Sequence, residues 1–510
     1  MAVILLKIFL LGLTNALGVW AAVGLFLAGS WLPLGGLVLG LVALNLAVLS
    51  KRAYPLRYLL PGLIPFFLMV VYPIASNMAV AFTNFGTGHR LTKEQVIAHF
   101  ENRFYLPEGG ERFTYQAFRG PAGSLILLLT STLTGTNYLS ERGILQAVEL
   151  TDPRFIFDGQ EIVEINGHHR LSRRELVQMM GELQGLSLPW GDEAVRLVSL
   201  AEFGVARQQY RYDPAEGVLT DLRTGITYTP VEGIFTSVHG ERLQPGFVVF
   251  IGARNFSEII TNPHISGPFF RIFTWTFLWA FLSVATTFTL GLALALLLND
   301  PYLELRNFYR TLLIVPYAIP GFISILVWGG MLNVDFGIVN RMLQDLFATK
   351  IPWFHDPLWA RVAVLLVNLW LGYAYMMIVC LGALQSIPQE LYEAARVDGA
   401  NRWQQFGKVT LPLLLISIAP LLVGSFAFNF NNFNVIFLLT GGGPPIPGAI
   451  TPAGATDILI SYTYNLAFGA AGARYGFAAA VSLIIFMIIG TISAINFRLT
   501  RSLERVGESL

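Results

Sequence analysis

The sequence is short of charge. Of its 510 residues only 65 are Lys, Arg, Asp or Glu, 13% of the chain, where a soluble protein carries roughly a quarter. With 54% hydrophobic residues and a mean hydropathy of +0.59, the chain has more apolar surface than a globular interior takes up, so part of it must face lipid. It is equally short of cysteine: a lone Cys380 excludes an internal disulfide framework and any thiolate metal cluster. A net charge of +1 and a pI near 7.8 supply no basic field for nucleic acid. The seven histidines (89, 99, 168, 169, 239, 264 and 355) all fall outside the apolar runs, where they read as surface residues rather than metal ligands.

Signatures of chemistry are missing too. No G-x-S-x-G, H-E-x-x-H or G-x-x-x-x-G-K-[ST] pattern occurs. The nearest approach to a phosphate loop, Gly407-Lys408, has Arg402 in place of the first glycine and Val409 in place of the magnesium-binding hydroxyl, so any ATP must be handled by another subunit. The carboxylate pairs Asp213 with Glu216 and Glu161 with Glu164 are ordinary for a solvated surface. No catalytic residue, metal site or cofactor of this chain's own is expected.

Intervals between charges locate the membrane spans, because a charge at mid-bilayer costs about 3 kcal/mol or more. Between Lys7 and Lys51 lie 43 uncharged residues, enough for two helices of about 20 residues each, with Gly29-Ser30-Trp31-Leu32-Pro33 as the breaker. Lys7 before an apolar run also resembles a secretory signal, but a second span follows at once, and a retained helix is the better reading. Further uncharged stretches at 58–89, 272–299, 311–334, 362–389, 409–456 and 475–497 bring the expected number of spans to eight. The stretch 120–140 is also uncharged, yet only Leu125 to Leu129 is continuously apolar, which suits a buried strand and is too short to cross a bilayer. Lys51, Arg52 and Arg57, then Arg306 and Arg310, then Arg396, Arg402 and Lys408, and finally Arg498, Arg501 and Arg505 follow alternate spans. The positive-inside rule makes these segments, and both termini, cytoplasmic.

The expected division is 1–57 for the first two spans, 58–83 for the third, 84–268 for an outer domain and 269–510 for the remaining five spans. The outer segment holds 37 of the 65 charges and is net −5. Alternating runs such as 155–157, 161–165 and 247–251, set off by Asp-Gly, Asn-Gly and Thr-Gly turns, predict a mainly β domain on the extracytoplasmic side, with a helix over 171–186. Without cysteine, it must stand on its own core.

The span cores hold no Asp, Glu, Lys, Arg or His, which removes the relays a proton symporter needs; sodium coupling through carbonyls and hydroxyls stays open. They do hold neutral polar groups. Ser425, Phe428, Asn429 and Asn432 stand at i, i+3, i+4 and i+7, one stripe of a helix, and Asn368, Leu371, Gly372 and Tyr375 repeat that spacing in the preceding span. Asparagine amides both donate and accept toward sugar hydroxyls, an aromatic ring covers the apolar face of a pyranose, and Gly372 admits a ligand or a neighbouring helix. The same amides would serve as hydrogen-bonding glue between helices. Between these spans lies Ser386 to Ala400. Ser386 with Gln389 fits a capping box, and Gly399 fits a helix stop, so a short amphipathic helix is expected at the inner surface. A second is expected from Asn401 through Trp403 and Phe406 to Lys408.

Glu393-Ala394-Ala395, Gly399, Val409, Leu411 and Pro412 fit the pattern E-A-A-x3-G-x9-I-x-L-P, with Val409 for the usual Ile. On these positions the chain resembles binding-protein-dependent ABC importer permeases. Along essentially its whole length, including Ser425 to Asn432 and Leu438-Leu439-Thr440-x-Gly442-Gly443-Pro444, it is similar to the larger membrane subunit of maltose/maltodextrin importers. The resemblance implies an α-helical polytopic membrane protein of the ABC importer permease fold, with the β domain inserted after the third helix. It implies that Glu393, Ala394, Ala395, Asp398 and Gly399 dock into an ATPase subunit, and that Asn368, Leu371, Gly372, Tyr375, Ser425, Phe428, Asn429 and Asn432 contact sugar. The partners it implies are a second, smaller permease subunit, a dimer of ATPase subunits that bind ATP and magnesium, and a periplasmic sugar-binding protein. The setting would be the cell inner membrane. The same residues leave two rival readings: a permease for another neutral oligosaccharide, and an ion-coupled sugar carrier.

Overall fold

A computed structural model describes residues 2–50, 55–120, 123–141, 143–191, 193–300, 302–469 and 472–507. Lys51 and Arg52, used above for orientation, lie outside the described residues. The chain forms two compact units, one of Met1–Thr87 with Phe250–Leu510 and one of Gly88–Val249.

In the first unit, five helical segments among the described residues are long and apolar enough to cross a membrane: Ile8–Leu27, Pro263–Asn299, Pro357–Gln385, Arg402–Thr440 and Tyr475–Ile495. The stretch 311–334, expected as one span, is instead the pair Arg306–Ala318 and Gly321–Met331, bent by 89°. Pro316 inside the first helix and Pro320 before the second remove backbone donors where the chain turns. Shorter apolar helices occupy Pro33–Leu49 and Phe67–Ala81. The first two helices form a hairpin through Gly29 at φ +65°, and Asn15 and Asn45 exchange amide hydrogen bonds of 3.0 and 2.7 Å, which satisfies both in an apolar surrounding.

The helices Pro263–Asn299 and Pro357–Gln385 pack along their length. At Gly291 a Cβ would lie 2.7 Å from both Met376 Cβ and the Met377 backbone nitrogen, so the glycine sets how closely the backbones approach. We expect Gly291→Val to force the helices apart at a cost of about 1–3 kcal/mol, read as a lower thermal midpoint of the purified protein. An unchanged midpoint would show that the crossing is looser than this.

In the second unit a large sheet runs in the order Leu188–Trp190, Glu193–Ser199, Glu202–Gln208, Arg112–Arg119, Leu125–Ser131, Asn137–Glu141, Ile144–Val148, and a four-stranded sheet runs from Tyr210–Asp213 to Ile234–Ser237. Leu125–Ser131 is paired on both sides, with Leu127 and Leu129 buried beside Phe113 and Phe203, as a continuously apolar strand should be. The Asn166-Gly167 turn has φ of 48° and 75°, as a tight hairpin turn requires. The helix expected over 171–186 is two short ones, Arg173–Gln178 and Met180–Gly185, the first opened by a Ser172–Glu175 capping box. The strand expected over 247–251 is only Gly246–Phe247.

The outer domain was expected over 84–268, whereas the compact β unit is Gly88–Val249. Residues 250–268 belong to the helical unit: Ile259 and Ile265 are buried with Phe269, Phe430, Tyr462 and Phe477. The charges in this stretch do not keep it apart from the core: Glu258 pairs with Arg474 at 2.6 Å beside it.

Candidate functional site

The eight stripe residues meet at one cavity of about 720 Å³. Asn368, Leu371, Gly372 and Tyr375 enter from the helix Pro357–Gln385, and Ser425, Phe428 and Asn429 from the helix Leu411–Phe430. Asn432 reaches it differently from the expected i+7 position. The helix stops at Phe430, and Asn432 sits at the break that opens Phe433–Thr440. Asparagine side chains compete for backbone groups, and a run of three in four residues favours such a break.

Among the described residues no Asp, Glu, Lys, Arg or His lines the cavity. The amides form a directed chain: Asn432 Nδ2 donates to Asn368 Oδ1 at 3.2 Å, Asn368 Nδ2 to Asn429 Oδ1 at 3.0 Å, and Asn429 Nδ2 to the Ser425 carbonyl at 2.8 Å. Trp279 Nε1 fixes the Asn429 carbonyl from a third helix at 2.9 Å. Interhelical hydrogen bonding is thus part of what these asparagines do. Each amide has four hydrogen-bonding positions, so this chain orients the carboxamides without using all of them. Beside them Phe428 is 69% and Tyr375 37% exposed, two ring faces turned toward open space.

Gly372 lines the cavity and also makes room for the neighbouring helix, since a Cβ there would meet Thr287 Cγ2 at 2.8 Å. Thr287, Tyr317 and Phe322 also line the cavity and were missed. Tyr317 lies between Pro316 and Pro320, the two prolines that mark the bend and were the available signal. A larger groove of about 920 Å³ between the first two helices is almost wholly apolar, and its two asparagines bond each other.

The inner helix forms over Gln389–Val397. Its start is not the expected capping box: Pro388 occupies the N-cap, and Ser386 closes the preceding helix, its hydroxyl donating to the Ala383 carbonyl at 2.8 Å. The stop is as expected, with Asp398 at the C-cap and Gly399 at φ +79°. Glu393, Ala394, Asp398 and Gly399 are exposed and Ala395 half-buried. The second helix starts at an Asn401–Gln404 capping box and runs on through a π-helical turn, Phe406–Thr410, into Leu411–Phe430. Val409, Leu411 and Pro412 therefore sit on a rod that ends at the cavity.

Residues 287–503 match the family model described as "Binding-protein-dependent transport system inner membrane component", and residues 65–142 match "N-terminal of TM subunit in PBP-dependent ABC transporters". Broken apolar helices around an uncharged cavity, an exposed inner helix and these matches define a permease component of an ABC importer, a transport subunit and not an enzyme. The chain is 38% identical to the "Maltose/maltodextrin transport system permease protein MalF" of Salmonella typhimurium over 97% of this chain and 96% of that protein. It is 40% identical to the protein of the same name from Klebsiella aerogenes over 89% and 88%. The chain belongs to the family of maltose/maltodextrin transport system permease proteins. Among solved structures, a bacterial ABC transporter involved in alginate import aligns over 49% of this chain and 84% of that chain, with 28% identity and a TM-score of 0.42.

Proposed function

We propose that this chain is the larger permease subunit of an ATP-driven importer of maltose and maltodextrins. The observation that carries the reading is that all eight residues chosen for a neutral sugar line one cavity whose described lining has no acidic or basic side chain. A phosphorylated or acidic substrate would need cationic partners there, and the described residues that line the cavity include none. The similarity to MalF over nearly the whole chain favours maltose and its oligomers over other neutral sugars.

In this reading the shorter apolar helices and the bent pair complete eight spans, the basic segments lie in the cytoplasm, and the β unit lies outside the membrane, where its acidic surface meets a soluble sugar-binding protein. A smaller permease subunit supplies the other half of the path. Two ATPase subunits hold ATP and magnesium, and Glu393, Ala394, Ala395, Asp398 and Gly399 dock into one of them. ATP drives transport only if it binds the outward-facing state in preference to the inward-facing one, since a ligand with equal affinity for both shifts nothing. Vesicles holding the assembled complex should take up labelled maltose with ATP and binding protein present, and should fail to do so on a sodium or proton gradient alone. Uptake on an ion gradient without ATP would overturn the reading in favour of a secondary carrier.

A further inference from the structure

The inner helix Gln389–Val397 presents Glu393 and the 88% exposed Val397 outward. Its opposite face is carried by Tyr392. The Tyr392 ring packs against the buried cluster of Cys380, Leu384, Ile387, Leu414 and Ile418, and its hydroxyl meets that of Thr410 at 3.1 Å. Thr410 is buried and is the last residue of the π-helical turn. Its hydroxyl also donates, at 3.4 Å, to the Gln405 carbonyl. A carbonyl only accepts, so the chain runs from Tyr392 through Thr410 to Gln405.

We infer that the Tyr392–Thr410 hydrogen bond is the link that passes a displacement of the inner helix to the helix bearing Ser425, Phe428 and Asn429; this rests on the docking role proposed for Glu393 to Gly399. From Thr410 one helix, with Pro420 inside it, runs to Phe430, so the link acts over about 22–28 Å at ~1.5 Å per residue. Apolar contacts alone let one helix slide over another, whereas a directional hydroxyl pair inside an apolar cluster fixes the register between them. The covalent route is less suited to carry the motion, because it passes through Gly399, in the left-handed region at φ +79°, and an exposed turn. The link also enters at a π-helical turn, a local widening where helix register changes at low cost. Tyr392 and Thr410 are positioning residues in this account, and neither touches sugar or nucleotide.

The test uses the complete complex in vesicles and measures ATP hydrolysed per sugar imported. Tyr392→Phe keeps the ring in its cluster and leaves Thr410 its carbonyl partner, so the fold should persist. The ratio should rise about fivefold, the factor one ordinary hydrogen bond is worth. Thr410→Val should give the same rise, the double variant no more than either single one, and Thr410→Ser a ratio near wild type. An unchanged ratio in Tyr392→Phe, including an equal fall in uptake and hydrolysis, overturns the link; additive effects in the double variant do the same. If Tyr392→Phe does not reach the membrane, the contrast of Thr410→Val with Thr410→Ser decides alone. Glu393→Lys run alongside separates the two levels: an uncoupled Glu393→Lys with a normal Tyr392→Phe ratio removes the link and leaves the docking role, whereas normal transport by Glu393→Lys removes the docking role itself.

Discussion

Replacing Phe428 with alanine should cut maltose uptake at low sugar concentration by roughly ten- to fiftyfold while leaving the assembled complex intact. The ring is 69% exposed at the cavity, so its removal opens no hole in the core and orphans no hydrogen bond. What is lost is the apolar and aromatic surface offered to a sugar face, about 1.4–2.3 kcal/mol from covered area and ring contact together. The loss should be overcome at high sugar concentration, because a uniform binding contact shifts the concentration dependence and not the limiting rate. Asn368→Leu would be a poorer test. Asn368 is buried and bonds both Asn429 and Asn432, so its loss leaves two polar groups unpaired at a cost of about 1–3 kcal/mol each whether or not sugar binds there. Uptake by Phe428→Ala with unchanged concentration dependence would contradict the assignment of the cavity.

Glu393→Lys should cut uptake by about thirtyfold or more and leave the amount of protein in the membrane unchanged. Glu393 stands on the exposed face of a helix whose fold-holding contacts are made by Tyr392 on the other side, so charge reversal costs the isolated chain little. At a docked interface the same change leaves a buried charge facing the wrong partner, worth about 2–5 kcal/mol. Hydrolysis of ATP by the partner subunits should persist or fall only modestly and lose its response to sugar. Sugar-stimulated uptake at wild-type rates would contradict the docking role.

The two stripes were legible because membrane depth makes any amide conspicuous, and the spacings 368, 371, 372, 375 and 425, 428, 429 survive as true helical faces. Asn432 was legible as a cavity residue for a wrong reason: it lines the cavity from a helix break, not from the seventh position of a continuous helix. Gaps in charge locate apolar length and are blind to backbone direction, so they missed the 89° bend at Pro316 and Pro320 and with it Tyr317 and Phe322. They also misplaced the edge of the outer domain, because Arg254 and Glu258 carry charge on a helix that packs with the membrane core. Thr287 had no signal at all, since its place in the cavity comes from Gly372, a contact between helices 85 residues apart in sequence. The Ser386 cap was misread because Pro388 takes the N-cap position and leaves the serine to the helix before it.

The charge deficit has a consistent distribution. The span-bearing parts outside 84–268 hold 17 basic and 11 acidic residues, against 16 and 21 within it, so the near-neutral total combines a basic membrane part with an acidic outer segment. An uncharged cavity within the first of these suits a neutral cargo. The most direct measurement of that claim is ATP hydrolysis by the reconstituted complex with its binding protein, titrated with maltose, longer maltodextrins and, at matched concentrations, uronate oligosaccharides. The account predicts stimulation by the neutral maltodextrins and none by the acidic sugars; equal or greater stimulation by the acidic sugars would contradict it.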